Sequence, residues 1–136
     1  MKKFFIIAVF ALIVALVSTI YFLIFEKEKY IIKVEILNTT DRKDIGYKFA
    51  EILKKKNYEV FSVEMLENEI LNNTCIVDRK NKNMKYAKNI GRVFKCKNIF
   101  SLVDSTFNID VTIIIGKDYE NILKRSFFGK KGKNDR

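Results

Sequence analysis

Hydrophobic positions fall into two regimes along this chain. From Phe4 to Phe25 they are nearly continuous (FFIIAVFALIVALVSTIYFLIF), twenty-two residues without a charge, a proline or a glycine. As a helix the run is about 33 Å long, which matches the ~30 Å hydrocarbon layer of a bilayer. It predicts a membrane anchor over residues 1–25. A cleaved signal peptide is the competing reading, since Lys2 and Lys3 would serve as its positive end. Signal cores run only about 7–15 residues and end at a small-x-small site, which Ala15, Ser18 and Thr19 do not form. The flanking lysines, Lys2 and Lys3 against Lys27, Lys29 and Lys33, nearly balance. The short N-terminal tail favours an inside N-terminus and a domain outside the cytoplasm.

After a charged juxtamembrane linker, residues 26–29, the pattern becomes periodic. Tyr30 to Leu37 alternates Ile32, Val34 and Ile36 against Lys33 and Glu35, the period of a strand with one buried face. Ile45, Phe49, Ile52 and Leu53 then recur as one helical stripe. Thr40 or Asp41 is its expected N-cap and Asn57 its left-handed stop. Lys54, Lys55 and Lys56 crowd its last turn, where they suit the helix dipole as a solvated end. Tyr58 to Glu64 and Thr74 to Asp78 read as strands, Met84 to Phe94 as a second amphipathic helix, and Cys96 to Val103 as a further strand or extended segment. Val111 to Ile115, closed by Gly116, is the most continuous apolar run and the expected central strand.

This order predicts an α/β chain: a transmembrane helix followed by a two-layer α/β sandwich of βαββαβ-like order. A mixed sheet of four or five strands should carry two helices on one face. The domain is expected over residues 30–123. The stretch 124–136, with six basic residues and Asp135 as its only acid, is expected to be a disordered basic tail or an electrostatic tether.

Composition narrows the chemistry. The 136 residues carry 26 basic and 16 acidic side chains, a formal charge of +10, which favours anionic partners. With no histidine, Ser-His-Asp and Cys-His catalysis and His-based metal sites are excluded. Cys75 and Cys96 fit no zinc spacing and read as two buried thiols, with pairing in an oxidising compartment as the alternative. Glu64, Glu67 and Glu69 lack the ligand spacing of a calcium loop. No cofactor and no metal is expected.

Two stretches resemble the C-terminal domain of the LytR/CpsA/Psr cell-envelope proteins. VEILNTTDRKDIGYKFAEILKKKNYEV, Val34 to Val60, is similar to the family's apolar strand, Asn-Gly-Ser/Thr turn and helix, and VTIIIGKDY, Val111 to Tyr119, to its closing strand and Gly-x-Asp-Tyr. Thr39 and Asp44 stand where the family has glycines, and Asn57-Tyr58 where it has Gly-Phe. The resemblance implies an envelope location and an isolated domain without the separate catalytic domain of the full-length proteins.

Candidate binding residues lie at the two strand ends. Asn38, Thr39 and Thr40 follow a strand and open a helix, a common place for anions, although helix capping needs the same residue types. Lys117, Asp118 and Tyr119 follow the last strand; Asp118 could cap a turn and Tyr119 pack under the sheet edge, or the pair could recognise sugar or peptide. Two functional classes follow. The first is a non-catalytic, membrane-anchored envelope protein whose exported domain binds a cell-wall polymer or another envelope protein. The second is an inverted, cytoplasm-facing module for nucleic acid or anionic lipid. An enzyme is not expected, because no nucleophile, base and orienting group come together in the pattern.

Overall fold

A computed structural model describes residues 1–25 and 29–128. The chain divides into two compact units, Met1–Tyr30 and Ile31–Arg136. The first is essentially helix α1, Lys2–Phe25, in which no side chain is buried. It is the one helix among the described residues long and apolar enough to cross a membrane. Its serine and threonine bond back to the helix: Ser18 Oγ donates to the Val14 and Ala15 carbonyls at 2.9 and 3.0 Å, and Thr19 Oγ1 to Ala15 at 2.7 Å. Hydroxyls bonded back to the helix in this way suit surroundings without water.

The second unit is a five-stranded sheet with helices on one face. Its elements run β1 (Lys33–Asn38), α2 (Lys43–Lys55), β2 (Glu59–Met65), β3 (Cys75–Asp78), α3 (Lys85–Phe94), β4 (Ile99–Ser101), β5 (Val111–Ile115) and α4 (Tyr119–Phe128). The strand order is β2-β1-β5-β3-β4. Two βαβ units, β1-α2-β2 and β3-α3-β4, each pair their strands in parallel. The last strand, β5, enters between them, parallel to β1 and antiparallel to β3. The most apolar run of the domain is therefore its central strand, as its sequence predicts.

Period two decides which side chains face the helices. Val34 and Ile36 of β1, Ile76 of β3, and Val111, Ile113 and Ile115 of β5 are buried on the inner face. Ile45, Phe49 and Leu53 of α2 meet Ala87, Ile90 and Phe94 of α3 in the same core, and the rings of Phe49 and Phe94 stack with centroids 4.7 Å apart. Burying each such aliphatic or aromatic side chain contributes about 1.5–3 kcal/mol.

Local signals hold in part. Asn57 takes the expected left-handed conformation, φ 64°, and stops α2. The N-cap of α2 is Arg42 and not Thr40 or Asp41, and it makes no side-chain cap bond. The hydroxyl of Thr40 is already committed: it donates to Asn38 Oδ1 at 2.8 Å, so the helix begins beyond it. The stretch expected to be a tail from residue 124 starts instead inside α4, a helix to Phe128. Ile122 of α4 is buried in the core, with Tyr119 and Leu123 packed against it. Tyr119, Ile122 and Leu123 have i, i+3, i+4 spacing, a short stripe that lies at the start of the basic run. The rest of the expected tail, 129–136, and residues 26–28 of the linker lie outside the described residues.

Candidate functional site

Because β1 and β5 are parallel neighbours, their C-terminal ends bring the six candidate binding residues to one edge. There, Asn38, Thr39 and Thr40 are buried and Lys117 is exposed. Thr39 Oγ1 donates to the Ile115 carbonyl at 2.7 Å and accepts Leu71 N at 3.1 Å. Asn38 Oδ1 accepts Thr40 N at 3.0 Å, and its Nδ2 donates to the Arg42 carbonyl at 2.8 Å. Asp118 Oδ1 accepts both Thr74 N and Thr74 Oγ1 at 2.7 Å. These polar side chains hold the chain to itself.

What they hold is the connection from β2 to β3. Leu66 N donates to the Asn38 carbonyl at 2.9 Å, Lys117 N to Leu71 O at 2.9 Å, and Gly116 N to Thr74 Oγ1 at 3.0 Å. Residues 66–74 are thus strapped across the carboxyl ends of β1 and β5, the place where open α/β sheets commonly bind ligands. Gly116 permits the approach: a Cβ there would stand 2.6 Å from the backbone of Asn73. At the edge of this region the Arg42 guanidinium donates to both carboxylate oxygens of Asp44 at 3.2 and 2.8 Å, and Asp44 first and nearby Tyr119 second raise its pKa. Asp44 is correspondingly held below its usual value, chiefly by Arg42 and then by Lys48.

A second arrangement lies on the outer side of the helix layer. The carboxyl ends of α2 and α3 converge beside α4 and form a groove of about 530 Å³. Its polar rim is Lys48, Lys55, Lys56, Arg92 and Lys95, with Glu51 the one acid, and Ile52, Val93 and Phe127 supply apolar surface. Glu51 is paired with Lys55 at 2.9 Å, and Lys48 with Asp44 at 3.2 Å. Part of the positive charge offsets the two helix carboxyl ends. The excess extends along α3, where Arg92 is shared with a shallower depression that Lys85 and Lys88 also line. Lys85, Lys88 and Arg92 stand at i, i+3 and i+7, so one face of α3 carries a basic strip into the groove. That spacing was present in the sequence; the convergence with Lys55 and Lys56, some thirty residues earlier on α2, was not.

The two cysteines are free thiols, Cys96 buried and Cys75 partly so. Burial pushes both thiols up, away from the reactive thiolate. Among the described residues no group of three or more His, Cys, Asp or Glu is placed to hold a metal ion.

The family model described as LytR cell envelope-related transcriptional attenuator matches residues 31–119, which take in all five strands with α2 and α3. No curated protein and no solved structure matches the chain.

Proposed function

This chain belongs to the LytR C-terminal domain family, a family of the cell envelope, and on that premise we propose that it is a non-catalytic, membrane-anchored protein whose exported domain binds an anionic cell-wall polymer. The observation that carries the reading is the basic strip on α3 that runs into the groove beside α2 and α4. A strip lined by separate cations suits a chain of repeated negative charges better than a single small anion, because each repeat finds a countercharge. The apolar surface of Ile52, Val93 and Phe127 gives the same groove contact with the uncharged parts of such a chain. α1 supplies the anchor, and the strand-end residues Asn38, Thr39, Thr40, Lys117, Asp118 and Tyr119 keep the domain's edge in shape.

The full chain in detergent micelles is expected to be retained on purified wall material and released from material stripped of its anionic polymer. The variant Lys56→Gln/Arg92→Gln/Lys95→Gln should bind about tenfold more weakly, a loss of ~1.4 kcal/mol. Removing Lys80, Lys82 and Lys97, exposed cations elsewhere on the domain, is the matched control. Equal losses in both variants, or equal capture on nucleic acid, would reduce the groove to net charge. So would complete release once salt has shortened the Debye length to about 3 Å.

Orientation is read separately. With Cys75 and Cys96 replaced and a single cysteine placed at exposed Lys97, an impermeant thiol reagent should label intact cells. Labelling only after lysis would put the domain on the cytoplasmic side and overturn the assignment to the wall.

A further inference from the structure

The face of the sheet away from the helices carries a feature that the polymer reading does not use. All three helices of the domain pack into one core on the inner face. On the other face, the ends of β1, β2, β3 and β5 and the β4–β5 connection enclose a cleft of about 290 Å³. Its polar groups are Glu35, Glu64, Arg79 and Thr112, and Leu37, Phe107 and Ile109 form much of its apolar wall.

Thr112 organises these groups. It is completely buried. Its Oγ1 accepts Arg79 Nε at 3.0 Å and donates to Glu35 Oε2 at 2.9 Å. An arginine and a glutamate this close ordinarily form a direct bidentate pair. Here one hydroxyl stands between them, and among the described residues neither makes an ion pair. The Nη edge of Arg79 and the second oxygen of Glu35 make no hydrogen bond within the described residues. Neighbouring Asp104 feels the Arg79 charge but makes no ion pair with it among the described residues; its Oδ1 accepts Thr106 N and Oγ1 at 3.0 and 2.6 Å. Glu64 lies on β2 directly beside Leu37 of β1 and adds a second carboxylate to the same cleft.

We propose that this cleft binds the zwitterionic end groups of a short peptide, with Arg79 taking a free carboxylate, Glu35 and Glu64 taking a free amino group, and the apolar wall taking the side chains. The planar guanidinium edge matches a carboxylate in geometry, and two carboxylates suit an ammonium with three donors. A cleft at the foot of the ~300–1,000 Å³ range of small-molecule sites takes a ligand of amino-acid or dipeptide size. The site lies on the face opposite the basic groove, so either can fail without the other.

The test is an amide NMR titration of the ¹⁵N-labelled full chain in micelles with alanyl-alanine, N-acetyl-alanyl-alanine and alanyl-alanine amide. The free dipeptide should shift amides around Glu35, Arg79 and Thr112 with a Kd of about 1 mM, and each blocked form should bind about tenfold more weakly. Arg79→Gln should erase the preference for the free dipeptide over the amide. Exposed Glu64→Gln, which leaves the Thr112 network untouched, should shrink the preference over the acetylated form. No shift with the free dipeptide at about ten times that concentration, or equal binding of all three probes, overturns the proposal.

Discussion

Replacing Phe49 with alanine is expected to lower the stability of the domain by about 3–5 kcal/mol. Phe49 is fully buried, and its ring stacks on Phe94 with 4.7 Å between centroids and 27° between planes. The pair lies within the core that α2 and α3 share over the sheet, so truncation removes buried area and leaves a cavity between the two helices. Each helix is also fixed to its own strands by the βαβ connections, which keeps the backbone from closing the void. Urea unfolding of the full chain in micelles, followed by the circular dichroism of the strands, measures the loss. The double variant Phe49→Ala/Phe94→Ala should fall short of additivity by about 0.5–1.5 kcal/mol, the worth of the ring pair beyond its area. A loss below 1 kcal/mol for Phe49→Ala would mean that the helix layer repacks freely.

Much of this architecture is written in local periodicity. Val34 and Ile36 alternate with Lys33 and Glu35 because β1 has one covered face, and Ile45, Phe49 and Leu53 recur at helical spacing because α2 lies across it. The isoleucines of Val111–Ile115 run together because β5 is central, with Thr112 buried on the outer side too. What periodicity could not supply was long-range pairing of polar groups. Asn38, Thr39 and Thr40 have the composition of an anion site and of a turn alike. Only the arrival of Leu71 N at Thr39 and of Thr74 at Asp118 shows their hydrogen bonds being used within the fold. The Arg79–Thr112–Glu35 chain joins two strands and the turn after β3 across 77 residues of sequence and leaves no local trace. Helix α4 was hidden for a different reason. Its apolar stripe is three residues long and runs straight into Lys124 and Arg125, so charge density outweighed a correct but brief helical spacing.

The same limit of local reading surrounds Asp78, whose loss should be as damaging as that of Phe49. In sequence it is the polar residue that ends a short strand; in the fold it is completely buried and holds two backbone segments at once. Its Oδ1 accepts Lys80 N and Asn81 N at 3.0 and 2.7 Å and so closes the turn after β3. Its Oδ2 accepts Tyr86 N and Ala87 N at 2.9 and 3.0 Å and so caps the first turn of α3. The residue in the N-cap position itself, Met84, makes no side-chain cap bond and sits in a left-handed conformation, φ 57°, so the helix start depends on a carboxylate from outside it. Asp78→Ala removes the acceptor of four N–H groups, that of Ala87 buried and the others partly so, and should cost about 3–5 kcal/mol, since a single buried unsatisfied donor costs ~1–3. Asp78→Asn separates shape from chemistry. The amide has the same size but one acceptor atom fewer, and its NH₂ must face two backbone N–H donors. It should therefore be nearly as destabilising as alanine. In urea unfolding both midpoints should fall together, and amide exchange at Tyr86 and Ala87 should rise more than at residues of α2. If Asp78→Asn instead unfolds within 1 kcal/mol of the unaltered chain, the start of α3 is held by packing of Ala87 and Ile90 and not by the buried carboxylate.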